Sequence, residues 1–464
     1  MTGTEASRRA IRTPLGEHDT DLPRPELPHP VRVPILLVAV LYLTATGRWG
    51  SYVSLPGLPL FIADVLLASA VGTMLLAMRR SGVGLRSFLR ALSRAHLALL
   101  LCLTLLAWTA VRGLLGLQDF IGTPLTALRD LAPYGYLVAA VVSFTLPAAA
   151  SRLASGLVYG ALSLHVVWVL GAPHLPGWPV SWPVLGGAAI FNARPDFDAT
   201  VLGIAVALAL HRLSVGWRDL RAGWMAALVL FAGLNAYALT LTPSRAGLLA
   251  GLAAVGVVLV ARASPLAVRA GQAVGPVVPR RVLIAGLVLL LAVVSLSPAG
   301  QRAIEAFRGE QGLALGTVQA REAAWSGVFE YVTADAARTA VGVGFGPDFI
   351  LDSGTSDALE GTQYENVRSP HNYLLGTLAR LGVGGALLAM LIVCAGAALA
   401  LGRLRRPVDE VTALAGLLVV SLPVTASLGV ILESPFGAVP YFWAVGHLAR
   451  GAWDERAEAP VVRV

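Results

Sequence analysis

Apolar runs of membrane-crossing length alternate with short charged connections along nearly the whole chain. They begin near Val33, Leu60, His96, Leu131, Leu153, Ala199, Gly223, Ala246, Val282, Val383, Val411 and Gly437. A helix of roughly 20 residues crosses a hydrocarbon core about 30 Å thick. The pattern predicts an all-α, polytopic helical membrane protein with about 12 transmembrane helices. Composition agrees, with 56% of the 464 residues hydrophobic, only 13% charged and a mean hydropathy of +0.71. No soluble fold buries that much apolar surface.

Charge sets the expected orientation. The formal balance of +8 comes from arginine alone, because the chain contains no lysine, and in a membrane protein basic residues first report which loops stay inside. With the N-terminus inside, the cytoplasmic connections hold Arg79, Arg80, Arg86 and Arg90; Arg152; Arg212, Arg218 and Arg221; Arg262, Arg269, Arg280 and Arg281; Arg403, Arg405 and Arg406; and Arg450. That distribution makes nucleic acid a poor partner and lipid the expected surroundings. The expected organisation is a disordered cytoplasmic tail over 1–32, transmembrane helices 1–9 over 33–297, and a large extracytoplasmic loop over 298–370. An interfacial helix and helices 10–12 follow over 371–451, then a cytoplasmic tail over 452–464. The polar, Pro-rich start has no signal-peptide core. Cys102 and Cys394 each lie inside an apolar run and are expected to be small core residues.

The connection over 298–370 is far longer than a helix-to-helix link needs, and long loops of this kind are usually functional. It ends in "SPHNYLLGTLARLGVGG", where a His-Asn pair meets the next apolar run. With helical spacing, His371, Leu374, Leu375 and Leu378 share one face, as on a helix lying at the membrane edge. Gly382, Gly384 and Gly385 then let the backbone turn and pack closely. His371 is either a cap on that helix or a general base near neutral pH.

Arginines on the same expected face give that base a context. In "LTPSRAGLLAG", Thr242 or Ser244 offers an N-cap, and Arg245 opens a span at the positive end of a helix dipole, where a cation is disfavoured. A cationic helix N-terminus suits an anion, phosphate above all. Arg194, Arg321 in "QAREAAW" and Arg368, three residues before His371, add to it. Guanidinium groups converging on one imidazole describe a pocket for a diphosphate with a base beside it. Two other signals compete. Asp196 and Asp198 form a D-x-D able to hold a divalent metal, or else acidic residues suited to a helix N-terminus. Trp178 and Trp182 suit an interfacial aromatic belt better than sugar stacking.

These residues resemble the O-antigen ligase and O-antigen polymerase-like membrane proteins. The family's signature, His followed by Asn or Ser, nine residues, then Gly-x-x-Gly, is matched by His371-Asn372 and Gly382 to Gly385. Arg-x-x-x-Leu at the outer start of a helix is matched by Arg245 and Leu249. Arg321 and Trp325, followed by the glycines of Gly342 to Gly346, look like the family's large loop.

The resemblance implies a GT-C-like glycosyltransferase in the plasma (inner) membrane. It would move a saccharide from an undecaprenyl-diphosphate-linked donor to a hydroxyl of an acceptor glycan or glycolipid on the extracytoplasmic face, as ligase or polymerase, with both termini cytoplasmic. No metal or other cofactor is expected. His371 would be the base, Arg245 and Arg321 would bind the diphosphate with Arg368 and Arg194 contributing, and the anomeric configuration would invert. The rival readings are a transporter or flippase of a lipid-linked glycan, and a metal-dependent enzyme using Asp196 and Asp198.

Overall fold

Helices dominate the computed structural model, which describes residues 61–80, 82, 84–93, 95–145, 152–174, 184–185, 188–189, 194–216, 220–242, 244–263, 295, 301, 312–359 and 368–458. In chain order they are α1 (Ile62–Arg80), α2 (Leu85–Ser93), α3 (Leu97–Leu115), α4 (Leu117–Gly122), α5 (Pro124–Gly135), α6 (Val138–Phe144), α7 (Arg152–Gly171), α8 (Pro195–Gly216), α9 (Ala222–Leu241), α10 (Arg245–Ala263), α11 (Gly312–Thr333), α12 (Ala336–Val341), α13 (Phe349–Asp352), α14 (Thr355–Leu359), α15 (Tyr373–Leu404), α16 (Glu410–Ala426) and α17 (Pro435–Glu458). The only strands among the described residues are a two-residue antiparallel pair, Val184–Leu185 with Ala188–Ala189. The protein is an all-α polytopic membrane protein. Among the described residues, six helical stretches are long and apolar enough to cross a membrane. The spans expected near Val33 and Val282, and the residues Trp178 and Trp182, lie outside the described residues.

Two helices form the middle of the bundle. From Phe197 to Ala209, α8 is buried on every side, and α16 is buried almost throughout, as expected of helices ringed by others. Peripheral helices differ. On α9, Trp224, Val229, Leu230 and Tyr237 are exposed, and on α15 so are Val383, Leu387, Met390 and Leu391. A contiguous apolar exterior of that extent belongs against lipid. The opposite face of α15 buries the small residues Gly385, Ala389, Gly396 and Ala400, which let neighbouring backbones approach in a setting where apolar burial itself gives little drive.

The tightest approach is between α8 and α10. A Cβ on Gly203 would overlap the Gly251 backbone, and one on Gly247 would overlap Ala199 and the Asp196 carbonyl. Both sets of contacts advance together along the two chains, so the helices run parallel. Their N-termini, with Arg194 before one and Arg245 opening the other, therefore lie at the same end of the bundle. Ser244 caps α10, its hydroxyl accepting from Gly247 N–H at 3.2 Å.

The opposite end is closed by ion pairs. Arg212 meets Glu410 at 3.2 Å, and Glu410 also accepts from Ser155 at 2.7 Å, which joins α7, α8 and α16. Arg403 and Arg406 both pair with Glu455. At that end α2, unexpected from hydropathy, buries Phe88, Ala91 and Leu92 while Arg86, Leu89 and Arg90 are exposed. This is the pattern of a helix lying along an interface rather than crossing it.

The interfacial helix and tenth span expected as separate elements are the two parts of α15, residues 373–381 and 383–404, which meet at a kink at Gly382, where φ is 68° and ψ is −171°. Only glycine occupies that region comfortably. Carbonyls at the break accept from outside the helix: Val343 N–H bonds Ala379 O at 2.7 Å and Gly344 N–H bonds Arg380 O at 3.1 Å. The Trp108 indole bonds Leu381 O at 2.9 Å. The glycine-rich stretch Gly342 to Gly346 thus runs directly across the break. Gly342, at φ 73° and ψ 177°, abuts Arg380 and Gly382 so closely that a Cβ would overlap both. From α3, Arg112 fixes the crossing by donating to Val341 O at 2.8 Å and Gly342 O at 3.0 Å. Hydrogen bonds from a charged donor contribute about 1.5–3 kcal/mol each.

Candidate functional site

Beside this crossing, the bundle end holds a cavity of about 360 Å³ lined by Arg129, Asp130 and Tyr134 of α5, Arg194 before α8, Arg368, Ser369 and His371, Arg380 of α15, and Glu433. Its wall is built around Asp130, a carboxylate only 8% exposed. One Asp130 oxygen meets Arg380 at 2.8 Å. The other meets Arg368 at 3.3 Å and accepts from Gly346 N–H at 3.1 Å. Arg368 also pairs with Asp348 at 2.6 Å and donates to Gly346 O at 3.0 Å, while the Arg380 guanidinium lies 4.9 Å from the Phe349 ring centre. A buried carboxylate between two guanidinium groups is sustained only when its remaining lone pairs are also matched, and here they are.

His371 sits where this wall passes into α15. Its φ is 54°, the one positive value at a non-glycine position among the described residues. For such a residue the left-handed region costs roughly 1–2 kcal/mol, and it persists only where the surroundings over-determine it. They do so on both sides. Before it, the Trp325 indole donates to Pro370 O at 2.7 Å, and the Ser369 hydroxyl accepts from His371 N–H at 3.3 Å. After it, Asn372 caps α15, its side-chain oxygen accepting from Leu374 and Leu375 N–H, both at 3.1 Å. The cap is therefore Asn372 and not His371, which frees the imidazole from that structural task.

The electrostatic setting of the imidazole brings three of the expected residues together. Burial, then the positive charges of Arg321 and Arg194, push the His371 pKa down to about 4, against a smaller opposing pull from Asp196. The ring is neutral at pH 7 and able to accept a proton. Arg194 is steadied by the Phe436 ring, whose centre lies 5.2 Å from its guanidinium carbon. Arg321 acts on His371 from α11 without lining the cavity. Arg245 lies at the neighbouring helix N-terminus, outside the cavity lining. Arg368 lines the cavity with its guanidinium engaged by Asp130 and Asp348.

The two carboxylates of the D-x-D serve different surroundings. Asp198 reaches back to accept from Arg194 N–H at 3.0 Å, satisfying a backbone donor just ahead of α8, and its other oxygen lies 3.7 Å from His165. Asp196 faces the Gly429 turn and influences His371.

Sequence reasoning overlooked Asp130, Arg380 and Glu433. Asp130 carried a usable signal, since an ionisable residue in an apolar helix is a functional candidate by default. Arg380 could have been flagged on the same ground. Glu433, alone in "GVILESPFG" between two spans, gave only its isolation.

Residues 226–390 match the family model described as O-antigen ligase. The matched stretch contains Arg245, Arg321, Arg368, His371 and the Gly382 break, and it excludes Asp130, Arg194 and Glu433. No curated protein matches the chain.

Proposed function

We propose that this O-antigen ligase/polymerase-like membrane protein is a glycosyltransferase that moves a saccharide from an undecaprenyl-diphosphate-linked donor to an acceptor hydroxyl on the extracytoplasmic face of the plasma (inner) membrane. One observation carries the reading: a neutral imidazole, held in a costly backbone conformation beside a cavity, under the field of Arg321 and Arg194. A base that takes a proton from a sugar hydroxyl has to be unprotonated; the cations beside it lower its basicity in the empty site, and the anionic diphosphate they bind offsets them when the donor is in place.

His371 removes the proton as the acceptor oxygen bonds to the anomeric carbon. The bond from that carbon to the diphosphate oxygen breaks, the diphosphate leaves with the electron pair, and the anomeric configuration inverts. Arg321 and Arg194 stabilise the charge that collects on the leaving group, and Arg245 extends the cationic rim at the parallel helix end. Arg368, engaged by two carboxylates, mainly holds the loop in place. Guanidinium groups supply the charge stabilisation that a metal would otherwise give, so the reaction is metal-independent.

The test uses purified full-length protein in detergent with an undecaprenyl-diphosphate-linked oligosaccharide, an acceptor glycan, excess chelator and no ion gradient. Release of undecaprenyl diphosphate with matching growth of the acceptor is expected, together with its loss in a normally inserted His371→Ala variant. A donor left chemically unchanged would overturn the reading in favour of transport, and activity abolished by chelator would return Asp196 and Asp198 to consideration.

A further inference from the structure

Four arginines line the cavity beside His371: Arg129, Arg194, Arg368 and Arg380. Three of them have partners in the fold. Arg380 meets Asp130 at 2.8 Å, Arg368 meets Asp348 at 2.6 Å and Asp130 at 3.3 Å, and the Arg194 guanidinium lies over the Phe436 ring. Arg129 is exposed and makes no hydrogen bond or ion pair with any of the described residues.

Its position makes that isolation informative. Arg129 belongs to α5, inside the stretch Pro124–Phe144 that is long and apolar enough to cross a membrane. An ionisable residue in such a stretch is costly unless it faces an opposite charge or a water-filled cavity, and it marks a functional site by default. The neighbouring Asp130 has its partners in the cavity wall. Arg129 has only the cavity.

The backbone fixes it there. Arg129, Ala132, Pro133 and Tyr136 all line the cavity, at spacings of three, four and seven residues that put them on one helical face. That face is held in place because Asp130 ties α5 to Arg380 of α15 and the Tyr134 hydroxyl donates to Thr377 Oγ1 of α15 at 3.4 Å. Counter-charge within reach is already committed: Asp130 and Asp348 are engaged by Arg368 and Arg380, and burial pushes the Glu433 carboxyl pKa up, toward its neutral form.

We propose that Arg129 is an anion-binding residue of this cavity, whose guanidinium N–H groups donate to a phosphate or carboxylate oxygen of the bound substrate. This rests on reading the cavity as the site of glycan transfer. Two parts of the substrates carry such oxygens, the diphosphate of the lipid-linked donor and an acidic group on a sugar. With a volume of about 360 Å³, the cavity places either of them in one enclosure with His371. Arg129 lies outside the stretch matched to the family model and joins the site only through the fold.

The experiment measures binding to purified full-length protein in detergent, with turnover of the lipid-linked donor measured separately. The probes are undecaprenyl diphosphate beside undecaprenol, which lacks the anion, and a uronic-acid oligosaccharide beside the same oligosaccharide with its carboxyl groups reduced to alcohols. Arg129→Gln breaks no contact with the described residues and should melt as the wild type does. It should weaken binding of at least one anionic probe about tenfold or more, the loss of a charge-assisted hydrogen bond, and leave the neutral counterpart within about twofold. Arg129→Lys, which keeps the charge and loses the planar fork, should fall between the two. Loss with undecaprenyl diphosphate identifies the donor diphosphate as the anion, and loss with the acidic oligosaccharide identifies the sugar. Equal binding of both anionic probes by wild type and Arg129→Gln, equal weakening of anionic and neutral probes, or wild-type protein that binds neither anionic probe would each overturn the proposal. Wild-type protein that binds an anionic probe yet leaves the lipid-linked donor unchanged would lose the transferase reading and keep Arg129 as an anion site.

Discussion

Trp325 donates its indole N–H to the carbonyl of Pro370 at 2.7 Å. The helix that carries Arg321 is thereby tied, four residues further on, to the residue preceding His371. This bond explains how a charge from a distant part of the loop comes to act on the imidazole. Trp325→Phe keeps an aromatic ring and deletes the donor. It is expected to lower kcat by roughly tenfold, with a loss of folding stability of about 0.5–1.5 kcal/mol from the missing hydrogen bond. Steady-state kinetics beside a melting curve checks this.

The depressed pKa of His371 has a definite sign. The native imidazole stays neutral down to about 4, whereas in the unfolded chain it takes up a proton near the ordinary 6.5. Its contribution to stability is therefore complete above that value and is lost as pH falls from 6.5 toward 4. The acid limb of kcat/KM in the free enzyme should accordingly fall well below pH 6. Replacing Arg321 or Arg194 by Gln removes a repelling charge, so each variant should move that limb to higher pH. A pH–rate profile of the wild-type protein and both variants decides it, and an unmoved limb would separate those arginines from His371.

Gly382 and Gly342 are both in backbone regions that only glycine enters freely; a Cβ on Gly342 would overlap the Arg380 carbonyl and Gly382 N, and one on Gly382 would overlap the Ala340 carbonyl and Val341 N. Ala at either position brings strain of about 1–3 kcal/mol and an overlap that must displace the crossing chain. Gly382→Ala and Gly342→Ala should each lower the melting temperature in detergent and impair activity. By contrast, Gly402→Ala meets open space and should be neutral or slightly stabilising within its helix.

Asp130 offers a test of the cavity wall. Removing one partner of a buried ion pair typically costs about 3–5 kcal/mol, because the opposite charge is left uncompensated. Asp130→Asn should therefore destabilise strongly through Arg380. Adding Arg380→Gln should restore part of the loss, and unfolding of the single and double variants measures the coupling.

Much of the architecture was legible from hydropathy. Helices begin within a few residues of the starts expected near Leu60, His96, Leu153, Ala199, Gly223, Ala246, Val411 and Gly437, because length and apolar composition alone decide whether a segment can cross lipid. The start near Val383 coincides with the restart of helix after the Gly382 kink, whereas the start near Leu131 fell later than the helix at Pro124. There a proline at the first helical position opens the helix in polar sequence, before hydropathy rises. The His-Asn and glycine spacing was visible, but its physical meaning was not. That Gly382 breaks α15 to receive the Gly342 chain depends on contacts between residues forty positions apart. Asp130 and Arg380 stood out as ionisable residues in apolar sequence, but their pairing depends on partners that only folding brings near.

Where Gly203 meets Gly251 the two backbones are in direct contact, with no side chain between them to act as a spacer. The helices bearing Arg194 and Arg245 consequently behave as a single beam, unable to slide or splay without losing that seam. The spacing of the two helix N-termini at its tip is set by main-chain contact, so a change that opened the seam would be carried directly to the backbone from which both arginines project.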